Sequence, residues 1–306
     1  MLQSRLGRLG ARIWKNRLAY LFIAPFMLCF ITFILIPVLA AFLLSFTYFN
    51  GVESPKFIGW DNFSNLLSQD LTFLQYALPN TIKFAAIVGP GGYIAAFILA
   101  WLIAQLPSKG RVWYTLAMYT PSMTAGVIMT VVWMPLLSGD RMGYLNSELL
   151  SFGLISEPHL WVTDKQYLMD SMIVVSIWSS MGVGFLAMLA GILNVNPEMY
   201  EAGKLDGIKN RLEEIWYITI PSMKPQMLFG AVMAITGTFQ TGFLGETLSG
   251  QNPTPQYAGH LLMSHQHDFA FVRFEMGYAS AISIFLLLLM YLANKLGWTL
   301  FGSKEE

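Results

Sequence analysis

The sequence predicts an all-α polytopic membrane protein with six transmembrane helices, and three observations support this fold class. First, 55% of the 306 residues are hydrophobic and only 12% are charged, against about 25% charged in soluble domains. Second, apolar runs long enough to cross a bilayer recur along the chain. Third, the polar intervals between these runs alternate in basic content, which is typical of loops on opposite sides of a membrane.

The six apolar runs are predicted to form one transmembrane domain over residues 18–300. The first span, 18–46, is longer than the core of a signal peptide and is therefore an uncleaved anchor, in which Pro25 and Pro37 are expected bends. A half-apolar segment that opens at Gly59 suits an interfacial helix. Gly182 and Gly184 predict a bend or close packing in the fourth span. The remaining spans run approximately over residues 81–106, 112–137, 171–193, 226–245 and 276–298.

The distribution of lysine and arginine predicts the orientation of the chain. Thirteen of the 18 fall in the N-terminal segment, in alternate loops and near the C-terminus. Basic residues accumulate on the cytoplasmic side of a membrane. The N-terminal segment 1–17, the tail 301–306 and the interval 194–225 are therefore predicted to be cytoplasmic.

The interval 194–225 is the longest strongly polar stretch between two spans, and it predicts two short helices. Asn196 is the expected cap of the first helix, with Pro197 at its first position. Asp206-Gly207 is a stop signal. Asn210, three residues before Glu213, predicts a second helix with a capping pattern, and Pro221 and Pro225 are expected to end that helix. Its predicted apolar stripe consists of Ile208, Leu212 and Ile215.

Such a pair of helices suits a mechanical connector between two proteins. A short capped helix held off the bilayer can insert into a pocket of a partner, and Ala202-Gly203 is expected to leave its exposed crest without bulk. An amphipathic helix lying on the membrane surface is the alternative that the residues alone leave open.

Several kinds of chemistry are disfavoured by the sequence. It contains no G-x-x-x-x-G-K-[ST] loop for nucleotide phosphates. Its single cysteine, Cys29, excludes an intramolecular disulfide and a cysteine metal cluster. Ser179-Ser180 lies outside a G-x-S-x-G context, and a net charge of zero gives no indication of nucleic-acid binding. No metal site is predicted, because the spacing of the outer residues fits no common ligand pattern and flexible loop histidines are the expectation for His260, His265, His267 and Asp268.

The predicted interior suits an uncharged, hydroxyl-rich solute. The spans are almost free of ionisable residues, which disfavours proton or sodium coupling. Aromatic rings can stack on the apolar faces of sugars while hydroxyl and amide groups meet the sugar hydroxyls. The wider set of such groups includes Thr120 and Thr238. The predicted substrate-pathway residues are Tyr119, Trp133, Trp178, Ser179, Thr236 and Gln240.

Two sets of residues resemble a known family. Glu201-Ala202-Gly203, Asp206-Gly207 and 218–221 resemble the EAA loop of the membrane subunits of bacterial ABC importers, with Gly203 where the family usually has a second alanine. Residues 58–63, 121–146 and 277–281 resemble landmarks of the maltose-type and glycerol-phosphate-type sugar permeases, specifically the first of the two paired permeases. Gln251-Asn252 departs from the glycines usual before the following proline.

The resemblance implies a type I ABC importer permease in the bacterial plasma (inner) membrane. It implies a heterodimer with a similar permease, two ATPase subunits that bind ATP and Mg²⁺, an extracytoplasmic solute-binding protein, and a sugar or oligosaccharide as solute. The chain itself would be non-catalytic and bind no cofactor. A phosphorylated polyol importer, an ion-coupled secondary transporter and a membrane-embedded enzyme or scaffold are the alternatives. The implied ATPase-coupling residues are Glu201, Ala202, Gly203, Asp206, Gly207, Ile208 and Pro221.

Overall fold

The computed structural model describes residues 16–124 and 126–301. Of the predicted cytoplasmic segments 1–17 and 301–306, only residues 16, 17 and 301 lie within the described ranges. In the described ranges the only strands are β1 (Thr47–Tyr48) and β2 (Lys56–Phe57), an antiparallel pair in which Thr47 lies opposite Phe57. All other regular structure there is helical, which confirms the all-α class.

Fourteen helices are labelled here in chain order. They are α1 (Arg17–Leu44), α2 (Asp61–Ser68), α3 (Phe73–Ala104), α4 (Ser108–Met123), α5 (Gly126–Leu136), α6 (Tyr144–Ser151), α7 (Lys165–Trp178), α8 (Val183–Leu193), α9 (Pro197–Leu205), α10 (211–222), α11 (Lys224–Phe239), α12 (Leu244–Ser249), α13 (Leu262–His267) and α14 (Met276–Phe301). Helix α10 is composite: Arg211–Glu214 continues through a π-helical stretch, Ile215–Thr219, into Ile220–Ser222.

Three of these helices are long and apolar enough to cross a bilayer on their own. They are α1, α3 and the Met276–Thr299 part of α14, and they correspond to the first, second and sixth predicted spans. The pair α7 and α8, bent by 41° at a short break, is a fourth if it forms one span. The fourth predicted span thus contains the expected bend, although its helix begins six residues early at Lys165, where the Asp164 carboxylate accepts from the Gln166 amide at 2.8 Å. The count of six spans remains a prediction.

The third and fifth predicted spans are not single helices. The third divides at Thr124, whose backbone is extended (φ −78°, ψ 120°) between α4 and α5. The fifth ends as a regular helix at Phe239, and four residues separate it from the start of α12. Polar residues or glycine mark both breaks, Ser122 and Thr124 in the third span and 240–242 in the fifth, but the apolar residues on either side predicted one span in each case.

A π-helical stretch precedes a proline at three places in the helices. Four five-residue π-helical stretches occur among the described residues, and three of them end two residues before a proline: Ile31–Leu35 before Pro37, Phe73–Ala77 before Pro79, and Ile215–Thr219 before Pro221. The fourth, Asp268–Val272, directly follows α13 and precedes no proline. A proline lacks an N–H and its ring meets the carbonyl four residues back, and a π turn displaces that carbonyl. Helix α10 therefore continues through Pro221 and ends at Ser222, between the two prolines that were predicted to end it, and Pro225 lies in the first turn of α11.

The chain divides into two compact units, the first made of Met1–Ser64 and Phe269–Ile284. In this unit the Asn62 side-chain amide donates to the carbonyls of Ser45 (2.8 Å) and Thr47 (3.0 Å), which fixes the turn after α1. In the exposed hairpin loop Lys56 donates to Glu53 at 2.8 Å. That hydrogen bond lowers the pKa of Glu53 and raises the pKa of Lys56.

The second unit, Asn65–Asp268 with Phe285–Glu306, is built on α3, α7, α8 and α11. Glycines let these helices approach closely. A Cβ placed on Gly92 would lie 2.8 Å from the Cβ of Ser180, and one on Gly184 would lie 3.2 Å from the Cα of Gly230. Small residues at helix contacts are the usual means of close packing in membranes.

Candidate functional site

The first connector helix, α9, begins as the sequence predicts. Asn196 caps it: the side-chain oxygen accepts from the Glu198 amide at 3.1 Å, and Pro197 occupies the first turn. Glu198 lies in that turn, where a negative charge interacts favourably with the helix dipole. The cap and the proline are confirmed.

The end of α9 is a Schellman turn centred on Gly207. The Gly207 amide donates to the Lys204 carbonyl at 3.3 Å and the Ile208 amide to the Gly203 carbonyl at 2.9 Å. This pair of bonds needs a left-handed residue between them, and Gly207 has φ +98°. The predicted stop at Asp206-Gly207 is confirmed, with Asp206 as the last cap residue.

The second connector helix, α10, is also capped as predicted. The Asn210 side-chain oxygen accepts from the Glu213 amide at 2.9 Å, while the Glu213 carboxylate accepts from the Lys209 amide at 2.7 Å. Arg211 donates to the Glu214 carboxylate at 2.7 Å. The predicted apolar stripe is wrong at Leu212, which is 76% exposed.

The two connector helices pack against each other at Gly203. A Cβ on Gly203 would lie 2.7 Å from Cδ1 of Ile218 and 2.9 Å from Cδ1 of Ile208. Beside this contact the hydroxyls of Tyr200 and Thr219 are hydrogen-bonded at 2.9 Å. The expectation that Gly203 lies on an exposed crest is therefore wrong. Gly203 is buried between the two helices, and its small size allows them to pack together.

The seven implied coupling residues divide into two groups. Gly203 is buried and Ile208 half-buried, and both pack inside the connector. The others are exposed: Glu201, Ala202, Asp206, Gly207 and Pro221. Sequence analysis missed Leu205, whose side chain is 90% exposed at the tip of α9 beside Asp206. An apolar residue at a helix C-terminus just before a stop signal was the available indication.

A cavity of about 500 Å³ lies among α3, α4, α7, α8, α11 and α12. All its lining residues belong to the second unit. None of these described lining residues carries a formal charge. Glycines and alanines of the facing helices make room for it, because they place backbone rather than side chain at the wall.

Three helix breaks meet at this cavity. The break after α4 contributes Ser122 and Thr124 to the lining, the break between α7 and α8 contributes residues 179–180 and 182, and the break after α11 contributes residues 241–243. Irregular backbone at membrane depth is stable only where it is buried in protein or lines a polar cavity. Broken helices around a central site are also the construction used by transporters for solutes.

The cavity hydroxyls are oriented as hydrogen-bond acceptors. Ser122 donates to the Tyr119 carbonyl (2.7 Å), Ser180 to the Ile177 carbonyl (2.6 Å) and Thr238 to the Ala234 carbonyl (2.7 Å). Ser179 and Thr241 bond back to their own helices in the same way, both at 3.2 Å. A hydroxyl has one hydrogen and two lone pairs, so these oxygens offer lone pairs to a ligand that brings its own donors.

Only one of the six predicted pathway residues, Ser179, is in the cavity lining. Trp133 and Trp178 lie together, edge to face with ring centroids 5.5 Å apart, and Trp133 packs against the buried cluster around Met172. Tyr119 lines a separate shallow groove on α4. Thr236 is half-buried and Gln240 is exposed at the end of α11. Thr238, from the wider set, does line the cavity.

The histidines at 260 and 265, predicted to be flexible residues of an outer loop, are buried. His260 and His265 are 4% and 1% exposed. Nε2 of His260 lies 3.2 Å from Nδ1 of His265, whose Nε2 lies 2.9 Å from the Asp70 carboxylate. Asn80 and Thr81 of α3 also hold this segment, through bonds to the His260 carbonyl and the Leu262 amide. Among the described residues no group of three or more potential ligands has the arrangement of a metal site.

Comparisons with known proteins agree with this architecture. A family model described as binding-protein-dependent transport system inner membrane component matches residues 5–296. The chain is 31% identical over 302 residues to the probable ABC transporter permease protein YesP of Bacillus subtilis (strain 168), covering 96% of each chain. It is 29% identical over 294 residues to the arabinooligosaccharides transport system permease protein AraP of the same organism, covering 94% of this chain and 90% of the relative.

A solved structure shows the same fold. The crystal structure of a bacterial ABC transporter involved in the import of the acidic polysaccharide alginate contains a chain that matches with a TM-score of 0.76 and 25% identity, covering 95% of this chain and 99% of that chain. Together with the family match, this makes the protein a multi-pass membrane subunit of a transport complex. The chain belongs to the family of binding-protein-dependent transport system inner membrane components, the permease subunits of ABC transporters.

Proposed function

We propose that this chain is the permease subunit of an ABC importer for a neutral oligosaccharide, and that the uncharged cavity is its part of the solute pathway. The cavity is the observation that carries the proposal. Its wall combines three helix breaks with hydroxyls that offer lone pairs. A saccharide supplies many hydroxyl donors in a small volume, and each can meet such an acceptor without a charged partner.

A neutral solute is supported by the uncharged described lining and by one named relative, whereas the structural neighbour serves the import of an acidic polysaccharide. The named relative AraP is an arabinooligosaccharides permease. A phosphorylated polyol, the runner-up, would require lysine, arginine or a comparable set of donors close to the phosphate, and the described lining has no basic side chain. Ser179, Ser180 and Thr238 are the residues that we assign to contact with the solute. Trp133 and Trp178, also predicted as pathway residues, would lie beside the cavity and would not contact a solute within it.

The connector would transmit the work of ATP hydrolysis. Its exposed surface around Ala202, Leu205 and Asp206 is small and capped by an apolar tip, which suits insertion into a cleft of an ATPase subunit. Gly203 would allow the close contact between the two helices, and Gly207 would allow the turn that ends α9. The chain itself would bind no nucleotide; ATP and Mg²⁺ would be held by two partner ATPases, with a second permease and an extracytoplasmic solute-binding protein completing the complex.

This role places both termini and the connector in the cytoplasm, in agreement with the distribution of basic residues. Crosslinking tests it. In a Cys29→Ser background, Ala202→Cys should crosslink to an ATPase subunit in the intact complex, whereas Lys165→Cys, exposed at the start of α7 on the predicted outer side, should not. Absence of an ATPase adduct at position 202 in an assembled complex would overturn the coupling role.

Uptake by the reconstituted complex tests the solute class. With a panel of neutral, uronate and phosphorylated saccharides, we expect ATP-dependent uptake of a neutral oligosaccharide. Ser180→Ala and Thr238→Val should slow this uptake, because each removes one acceptor from the cavity. Uptake confined to phosphorylated or uronate solutes would refute the proposed solute class while leaving the coupling role intact.

A further inference from the structure

The second connector helix, α10, buries two polar residues beside Ile218, while three of its large apolar residues are exposed. Glu214 and Thr219 are 7% and 1% exposed, whereas Leu212, Trp216 and Tyr217 are 76%, 68% and 67% exposed. A helix that faces water shows the opposite arrangement. A contiguous group of large apolar side chains on a surface indicates an apolar partner.

The buried polar groups of α10 are satisfied within the connector. Glu214 is bonded to Arg211, and Thr219 to both Tyr200 and the Glu214 carbonyl. Ile218 of the same helix packs on Gly203 and completes the inner contact. The exposed residues Leu212, Trp216 and Tyr217 lie outside this packing and form an apolar face that is available to a partner beyond the connector.

The composition of this face fits a lipid headgroup layer. Trp and Tyr concentrate at the membrane interface, since each ring has an apolar body and a polar group. Basic residues flank the face: Lys209 and Lys224 are exposed at its two ends, and Arg211 is exposed beside Leu212. Aromatic and basic residues together are typical of helices that lie on an anionic membrane surface.

The chain path gives the same location. Helix α10 ends at Ser222, and the largely apolar helix α11 begins at Lys224, with one residue between them. If α11 enters the bilayer, then α10 lies at the depth where the hydrocarbon begins. The exposed aromatic residues of α10 would then lie next to that layer.

The first connector helix has the opposite charge and so suits a different partner. Residues 196–206 contain three acids, Glu198, Glu201 and Asp206, against one base, Lys204, whereas residues 209–224 contain three bases and two acids. Both of those acids are occupied within the connector, Glu213 by the cap and Glu214 by Arg211. An anionic leaflet attracts the second helix and repels the first.

We propose that α10 lies in the cytoplasmic headgroup layer, with Leu212, Trp216 and Tyr217 directed toward the acyl chains of anionic phospholipids, while α9 projects away from the membrane. This proposal rests on the cytoplasmic orientation given above. The connector is then a hinge with one arm bound to lipid and the other arm free for a protein partner. Lipid composition becomes a determinant of coupling.

Fluorescence quenching in nanodiscs tests the lipid contact. The complete transport complex would carry Cys29→Ser and a bimane label at Tyr217→Cys, with Leu205→Cys as the matched control on the other arm. Phospholipids with a spin label near the headgroup should quench the label at position 217 severalfold more than at position 205. Iodide in the buffer should quench the label at position 217 only weakly, and replacing phosphatidylglycerol with phosphatidylcholine should reduce the quenching by lipid at 217.

Two outcomes would overturn the proposal. Quenching of position 217 by iodide but not by spin-labelled lipid would place α10 in water. Protection from both quenchers would show that a protein subunit covers it. Leu212→Cys repeats the measurement if the Tyr217 variant fails to assemble, and crosslinking at Ala202 reports separately on the ATPase contact, so that failure of one proposal is not mistaken for failure of the other.

Discussion

Gly207 controls the angle between the two connector helices, and its replacement is the sharpest test of the connector's mechanics. It has φ +98° and closes the Schellman turn, yet a Cβ added to it would meet nothing within 4 Å. A side chain at this position would therefore destabilise the turn through its backbone conformation and not through a clash with another residue of this chain. Holding a residue other than glycine in a left-handed conformation costs about 1–2 kcal/mol, which reduces the population of the turn by a factor of about 5–30.

The expected ranking of substitutions follows from that cost. Asn accepts left-handed backbone more readily than Ala, and a β-branched residue accepts it least. We therefore expect coupled transport to decline from Gly207 to Asn to Ala to Val, while ATP hydrolysis persists and the subunit remains in the membrane. The assay is the ratio of solute uptake to ATP hydrolysis in proteoliposomes that contain the whole complex.

Two results would refute this reasoning. If Gly207→Ala retained more coupling than Gly207→Asn, bulk against a partner rather than backbone conformation would limit the connector. If Gly207→Ala equalled the native protein, neither property would matter, and the turn would have no part in coupling.

Three further predictions concern helix packing and a buried hydrogen-bond network. Gly203→Leu should disrupt coupling far more than Gly203→Ala, because the Cβ of alanine meets only the ends of flexible side chains, 2.7 Å from Cδ1 of Ile218, whereas leucine overpacks the contact at a cost of about 1–3 kcal/mol; equal coupling ratios for the two variants would contradict the assigned helix contact. Gly92→Val should slow uptake without lowering membrane abundance, since its side chain would displace Ser180 at the cavity wall, whereas Gly110→Val, with open space around it, should leave uptake unchanged. Asn146→Asp should lower the thermal midpoint of the purified complex, because the buried amide nitrogen donates to three carbonyls at 3.0–3.2 Å and its loss costs about 2 kcal/mol or more; an unchanged midpoint would show that this network does not support the outer loop.

The parts of the connector that sequence analysis predicted correctly depend on neighbouring residues alone. Caps at Asn196 and Asn210 use bonds to amides two or three residues away, and the stop at Gly207 uses one backbone angle. Short-range patterns contain that information. The burial of Gly203 and the exposure of Leu212 depend on how α9 crosses α10, which no local pattern specifies.

Two of the hydroxyl residues expected in the interior line the cavity, whereas the expected aromatic residues lie outside it. Neutral hydroxyl residues were expected, and Ser179 and Thr238 do line it. The helix break at Thr124 depends on backbone angles that composition does not specify, so the residues around it were predicted to lie within one span, 112–137. The burial of His260 likewise depends on Asn80 and Thr81, about 180 residues away in sequence.

The three interrupted helices around the cavity have a consequence for how the subunit can move. A continuous rod through a bilayer can only tilt or slide as one body, and either motion carries both of its ends through lipid. Shorter segments joined at mid-depth can swing separately, so that one half of the subunit opens while the other stays shut. A solute held at the joint between such segments can face each compartment in turn without a continuous pore ever connecting the two sides.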